Sequence, residues 1–432
     1  MSFRGKLSIL MVSAAIAMYA VVGGMLSPWT RAQQPINDSG AQIRIFESVL
    51  QHIQNDYVDE PNLEKVRFGA LRGLVGGLDP YSSYLTAQQV TDFNAAKNAK
   101  RYGIGAEFSQ VSLYLYVVSV MKGSDADRAG LKAGDVIEYI ENKATRDISL
   151  YDARQLIFGD QGTQVNLRVL RAGAKPFSLK VTRGEYKVPA PESRVETGKV
   201  GVIKIFGLEN GQAAVLKTQV QNLQKQGVQK IVLDLRGTAT GTVDEAAAAA
   251  NLFINSGDLA KVVGKDGKVV KTLTADPAKA IFDGKLAVVI DIGTAAAGEV
   301  VASAILERKR GEVVGERSFG AGTEQQLFTL RGGDGLLLTT AKWASPAGVP
   351  FLGDDRATTG VKPSVEVKRL DTPEAVEVED LIDQQEEQKQ EPQPTPTPSL
   401  APETKKPAED IQLKKAIEIL QDKAQAKAAG AQ

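Results

Sequence analysis

The chain contains no cysteine and a single histidine, His52. Cysteine nucleophiles, disulfides and cysteine-ligated metals are therefore excluded, as are metal sites built on several histidines. A Ser-His-Asp triad would have to use His52. It sits in the polar, helix-patterned "ESVLQHIQNDYVDE" and reads as a solvated helix residue. Any hydroxyl nucleophile would need an activating group within hydrogen-bond reach. One stretch, "GTAAAGEVVASAILERKRGEVVGERSFGAG" (residues 293–322), has the look of a strand end, a helix and a return strand around a site. Its candidate groups are Thr294, Ser303, Lys309 and Ser318, with Lys342 further on. Thr294 is the hydroxyl expected at a cleft. Ser303, seven residues past Ala296, lies about two helical turns on and is expected to pack inward.

The elements that would position these groups are legible along the chain. Residues 41–98 read as a small helical unit, with Asn62 as a helix cap and the Gly-Gly and Asp-Pro pairs as breaks. Residues 101–185 alternate strand, helix, strand, helix, strand. Residues 186–370 read as a layered α/β core: "KVGVIKIFGL", "VQKIVLDLRG" and "KLAVVIDIG" are strands between helical patterns. The fold class is thus mixed α/β and multidomain. Residues 371–408 are rich in Pro, Gln and Glu and cannot pack a core, so they read as a flexible linker. Residues 409–432 recover a helical pattern with Ile411, Ala416, Ile419 and Leu420 near one face. That helix either docks or stays solvated, because short isolated helices are marginal.

At the other end, Arg4 and Lys6 precede an apolar run over residues 7–26. Its length, about 20 residues, suits a bilayer crossing. Residues 1–32 are expected to be a signal peptide or inner-membrane anchor, with a small-residue cleavage site after Ala32. The expectation is export to the periplasm, either anchored or released. Lysine plus arginine equals aspartate plus glutamate, 52 each, so no basic field points to nucleic acid.

Several motifs in order resemble the C-terminal processing peptidases, or tail-specific proteases, which are exported serine peptidases with a Ser-Lys dyad and a PDZ domain. "AGLKAGDVI" is similar to a PDZ domain of the circularly permuted bacterial type, and the resemblance covers residues 101–185. "GLDPYSSYLT" resembles the family's "LDPHSSYL", "VGERSFGAGTEQQ" resembles "VGEKTFGKGTVQ", and "LLLTTAKWASPAG" resembles "LKLTTAKYYTPSG". The resemblance implies a peptidase-type core and no cofactor.

Its departures fall on the chemistry. The family nucleophile is the middle serine of "G-S-A-S-A-S-E"; here "G-T-A-A-A-G-E" places Ala296 there, flanked by Thr294 and Gly298. The family lysine of "F-G-K-G-T" corresponds to Ala321, while the glutamine that orients it is retained as Gln325. The "NNPGG" turn of the oxyanion hole has become "GTATG", with Ala239, Thr240 and Gly241 at its end. A methyl group neither attacks a carbonyl nor takes a proton. By contrast, Tyr102, Gly103, Ile104 and Gly105 match the PDZ loop that captures a terminal carboxylate, with Phe108 and Val117 expected along the groove. Two functions follow. One is an exported pseudopeptidase that holds C-terminal tails of envelope proteins, alone, as a homodimer or paired with an active relative. The other is a serine endopeptidase cutting near C-termini with a relocated nucleophile. A hydrolase of small substrates on the same core is a third reading, disfavoured by the lack of a usable histidine, cysteine or metal cluster.

Overall fold

The computed structural model describes residues 39–96, 100–353, 358–369 and 409–429. The apolar run 7–26, the cleavage site after Ala32 and the linker 371–408 lie outside the described residues. Among the described residues no helix is long and apolar enough to cross a membrane. The chain divides into two compact units, residues 1–70 and 71–432.

The first unit carries α1 (Ser39–Asp56) and the start of α2 (Leu63–Gly76). Asn62 caps α2: its Oδ1 accepts the Lys65 N–H at 2.9 Å. His52 is exposed on α1 and bonds Asp56 one turn on, 2.6 Å away. Ile43, Phe46 and Leu50 recur at helical spacing on α1 and are all exposed.

The second unit opens with β1 (Ser83–Leu85) and α3 (Ala87–Ala96). A PDZ-like layer follows: β2 (Ala106–Val111), β3 (Tyr114–Val120), α4 (Asp125–Arg128), β4 (Val136–Ile140), β5 (Lys143–Ala144), α5 (Leu150–Ile157), β6 (Gln164–Leu170) and β7 (Phe177–Thr182). Its antiparallel sheet has the order β2-β3-β4-β6-β7, with β5 on β4, so β2 is an edge strand. On β6, Val165, Leu167 and Val169 are buried and the residues between them exposed, the alternation of a half-covered sheet. Ser149 and Asp152 form a reciprocal capping box that starts α5.

The core comprises β8 (Glu192–Glu196), β9 (Val200–Lys204), α6 (Gln212–Lys225), β10 (Lys230–Asp234), α7 (Val243–Asn251), β11 (Asp258–Gly264), β12 (Val269–Thr274), β13 (Lys285–Ile290), α8 (Ala297–Glu307), β14 (Glu312–Gly315), β15 (Thr323–Thr329), β16 (Gly335–Ala344), β17 (Val365–Glu366) and α9 (Ile411–Ala429). One sheet has the order β17-β14-β13-β10-β9-β8 and is parallel except at the β8 edge. Its central strands are apolar between their charged ends because both faces are covered. Leu216, Val220, Val300 and Ile305, on α6 and α8, pack with Ile203, Ile231 and Val288 on one face.

The C-terminal helix docks. Leu413, Ala416 and Leu420 of α9 cover Val202, Val232 and Val289 on the opposite face. A second, antiparallel sheet, β1-β16-β11-β12 with β15 on β16, was not foreseen from sequence. The reading of 41–98 as wholly helical is corrected by it: Ser83–Leu85 pairs with Gly335–Leu337.

A polar chain fastens α9 beside the C-terminal ends of the parallel strands. Asp410 receives the Arg236 guanidinium at 2.7 Å, and the same guanidinium grips Asp234 at 2.7 Å. Lys204 stands 3.3 Å from Asp234. Burial alone would lift the Asp234 carboxyl, but Lys204 and Arg236 reverse this and hold it at about 2. The folded value lies below the ordinary 3.8, so this stabilisation is complete above about pH 4 and disappears as the pH falls towards 2. It amounts to roughly 2 kcal/mol. Urea unfolding should therefore find Asp234→Asn less stable than the native chain at pH 6, with the gap narrowing below pH 4 and closing towards pH 2. A gap that is constant with pH contradicts the assignment.

Candidate active-site frame

β13 runs into a tight turn at Asp291–Ala296, which opens α8. Asp291 Oδ1 accepts the N–H of Gly293 at 3.0 Å and of Gly237 at 2.9 Å, so one carboxylate ties this turn to the 237–241 turn. The Ala295 N–H donates to Thr238 O at 2.9 Å. The two turns approach so closely that a Cβ on Gly298 would meet Thr238 O at 2.6 Å. Glycine at 298, where the family carries a flanking serine, is thus required by this packing. Ala296 itself has φ 44° and ψ −105°. A non-glycine residue there is strained by roughly 1–3 kcal/mol and must be held by its surroundings.

Glu299 supplies that hold. It is fully buried in the first turn of α8. Its Oε2 accepts the N–H of Ala296 and of Ala321, both at 2.8 Å. Its Oε1 accepts the Gly320 N–H at 2.7 Å and the Ser318 hydroxyl. The backbones at Ala296 and Ala321 are therefore fixed by a single carboxyl group. Burial raises its pKa to about 7, and the four donors work in the opposite direction.

None of the relocated hydroxyls reaches solvent. Thr294 is fully buried, donating to Leu235 O at 2.9 Å and accepting the Asp291 N–H at 3.0 Å. This corrects the expectation that it faces a cleft. Ser318 is fully buried, donating to Glu299 and accepting the Val361 N–H at 2.7 Å. Ser303 packs inward as expected, bonded to Val300 O at 3.2 Å. Gln325 is exposed on β15, and its amide bonds Thr323 and Thr339. Lys342 lies opposite Thr323 in the β15–β16 pairing.

Around Ala296 and Ala321 the surface is apolar. Both pack in a cluster with Tyr81, Val118, Ala239 and Phe319. Tyr116 of β3 stacks on Phe319, ring centroids 5.5 Å apart. The PDZ layer thus contributes a wall to the frame. In the 237–241 turn, Gly241 has φ 134° and a Cβ there would meet Leu208 O at 2.3 Å, so only glycine fits. The Thr240 hydroxyl is buried without a hydrogen-bond partner.

A cavity of about 380 Å³ joins this turn to the PDZ loop. Gly103, Ile104, Gly105 and Phe108 line it together with Gly237 and Thr240. Gly105 has φ 81°, and a side chain there would run into Ser124. Two of the expected groove residues sit elsewhere. Val117 is fully buried inside the PDZ core, where it packs with Ile104 and Phe108. Tyr102 pairs through its backbone with Gly159. The Gly103 N–H is committed to Gly184 O at 3.2 Å. Sequence reasoning missed Arg101, Glu107, Arg154 and Glu209 in the same walls. No local pattern marks them, because the cavity is assembled from both layers.

The Glu299 pKa has a measurable consequence. Its folded value of about 7 exceeds the ordinary 4.5, so folding favours the protonated carboxyl. That contribution, roughly 3 kcal/mol, is complete below about pH 4.5 and is lost as the pH rises through 7. The thermal midpoint should fall between pH 5 and pH 8 in the native chain. Glu299→Gln should flatten that slope while lowering stability throughout, because its NH2 faces N–H donors. An unchanged slope contradicts the assignment.

Comparison with known proteins agrees with this frame. Residues 199–367 match peptidase family S41 and residues 116–171 match a PDZ domain. A probable CtpA-like serine protease of Staphylococcus aureus (strain MRSA252) is 34% identical over 336 residues, 77% of this chain and 66% of that protein, so the chain spans just under two thirds of that relative. One from Staphylococcus haemolyticus (strain JCSC1435) is 30% identical over 366 residues, 84% of this chain and 71% of that protein. Among solved structures, the photosystem II D1 C-terminal processing protease superposes with a TM-score of 0.63 at 26% identity, covering 75% of this chain and 86% of that one. The chain belongs to peptidase family S41, among its CtpA-like, PDZ-bearing C-terminal processing members.

Proposed function

We propose that this family member is a pseudopeptidase that holds C-terminal tails of envelope proteins through its PDZ layer and does not cut them. The observation that carries the reading is the pair of methyl groups at Ala296 and Ala321, seated at the family's nucleophile and base positions. Acyl transfer has no nucleophile there and proton transfer no base. What supports this reading over a relocated nucleophile is the commitment of Thr294, Ser303 and Ser318 to buried hydrogen bonds.

Tail capture needs only what is retained. β2 is an edge strand, the position at which a tail can be added once Arg154 releases the Phe108 carbonyl it bonds. The loop at its start keeps Ile104 and Gly105 on the cavity wall. Ile104, Phe108 and Ile157 give that wall apolar surface for a terminal side chain. The chain acts in the periplasm as a scaffold or regulator, with residues 7–26 as leader or inner-membrane anchor. The exposed Ile43, Phe46 and Leu50 stripe of α1 supports pairing with a second copy or an active relative.

Calorimetric titration tests the capture directly. Peptides with a free C-terminal carboxylate should bind, and the same peptides amidated at the C-terminus should lose about tenfold or more in affinity, as expected when a charge-assisted hydrogen-bond acceptor is removed. Equal binding of both forms overturns the reading. A second experiment asks whether the frame has lost only its side chains. The double variant Ala296→Ser/Ala321→Lys should be labelled by a fluorophosphonate serine probe, whereas the native chain and each single variant should not. Labelling of the native chain would place a working nucleophile in it.

A further inference from the structure

The cavity that joins the PDZ loop to the 237–241 turn has a charge pattern that the tail-capture reading does not use. At the loop end stands Arg101, whose guanidinium lies 4.4 Å over the Phe158 ring. Further along β2 comes Glu107, and across from it Glu209, contributed by the core between β9 and α6. Arg154 stands 3.9 Å from Glu107 and also donates to Phe108 O at 3.2 Å, so its charge is shared. The Glu107 side chain keeps partial access to the cavity mouth, 45% exposed. Even so, crowding by protein raises its pKa, Arg154 counteracts this, and Glu209 adds to the rise. Two carboxylates from different layers therefore face one space, and Arg154, the cation beside Glu107, is already engaged.

We infer that the captured tail is basic just before its end: the cavity takes a C-terminal segment with Lys or Arg at the penultimate or fourth-from-last position. The inference rests on tail capture by β2. A tail added antiparallel to the β2 edge sets its carboxylate at Ile104 and Gly105, on the Arg101 side. Its side chains then alternate. Those that point with the terminal residue meet Ile104, Phe108 and Ile157. Those that point the other way, at the penultimate and fourth-from-last positions, meet Glu107, Ser119 and Glu209. Glu107 lies two residues past Gly105, a reach of roughly 7 Å along an extended chain, which matches those positions. A tail with a negative end and a positive side chain behind it complements both ends of the cavity. An acidic tail would add a third carboxylate beside Glu107 and Glu209.

Fluorescence anisotropy with three labelled ten-residue peptides tests this. All end in X-Ala-X-Val with a free carboxylate, X being Lys, Gln or Glu. At low salt the Lys peptide should bind about tenfold more tightly than the Glu peptide, with Gln between them, and the ratio should shrink as salt rises. In the Glu107→Gln/Glu209→Gln variant the three affinities should converge. Equal affinities on the native chain, or a preference for Glu, overturn the basic-tail inference and leave tail capture standing. Failure of all three peptides to bind overturns tail capture itself, and this inference with it.

Discussion

Glu299 lies fully buried with four donors converging on its carboxyl group, three of them backbone N–H groups from positions 296, 320 and 321. A carboxyl taken out of water is costly unless such donors replace the lost solvation. The elbow at Ala296 and the loop at Ala321 are therefore braced against one another by backbone contacts, independent of the side chains those positions carry. Asp291 does the same between the elbow and the 237–241 turn. These contacts hold the frame through its backbone, and the strained conformation of Ala296 is held by Glu299 with it.

Ala239, Ala296 and Ala321 meet Tyr81, Val118 and Phe319 in one apolar cluster, and Tyr116 of the PDZ layer stacks on Phe319. Gly298 lets the 237–241 turn sit where a flanking serine would collide. These are side-chain consequences of one geometry, so they fit together as a set. The PDZ layer is part of that geometry: its β3 residues wall the frame on one side, and its β2 loop opens to the shared cavity on the other.

Much of the core was legible because its physics is local. β9, β10 and β13 are continuous apolar runs, the signature of strands covered on both faces, and α8 follows the last of them directly. The antiparallel sheet was not legible. β12 reads VVKTLT and is mostly exposed, β15 carries TEQQ, and β1 is three residues long, so none shows a periodic apolar face. The pattern of α9 announced a helix, but its docking depends on a sheet face built from strands distant in sequence. In the site, Ala296, Ala321 and Gly105 were placed by motif spacing. Val117 was misplaced because a buried strand residue and a groove residue have the same type. Glu107 and Glu209 carry no signal until folding brings the two layers together.

On the proposed reading this chain binds a tail and leaves it whole. The decisive measurement is mass spectrometry of a free-carboxylate peptide ending in Lys-Ala-Lys-Val, kept saturating with the native chain for a day at pH 7. Only the intact peptide mass should be recovered, while anisotropy on the same sample shows the peptide bound. Shorter products that grow with time, and that persist when the protein is repurified, would contradict it.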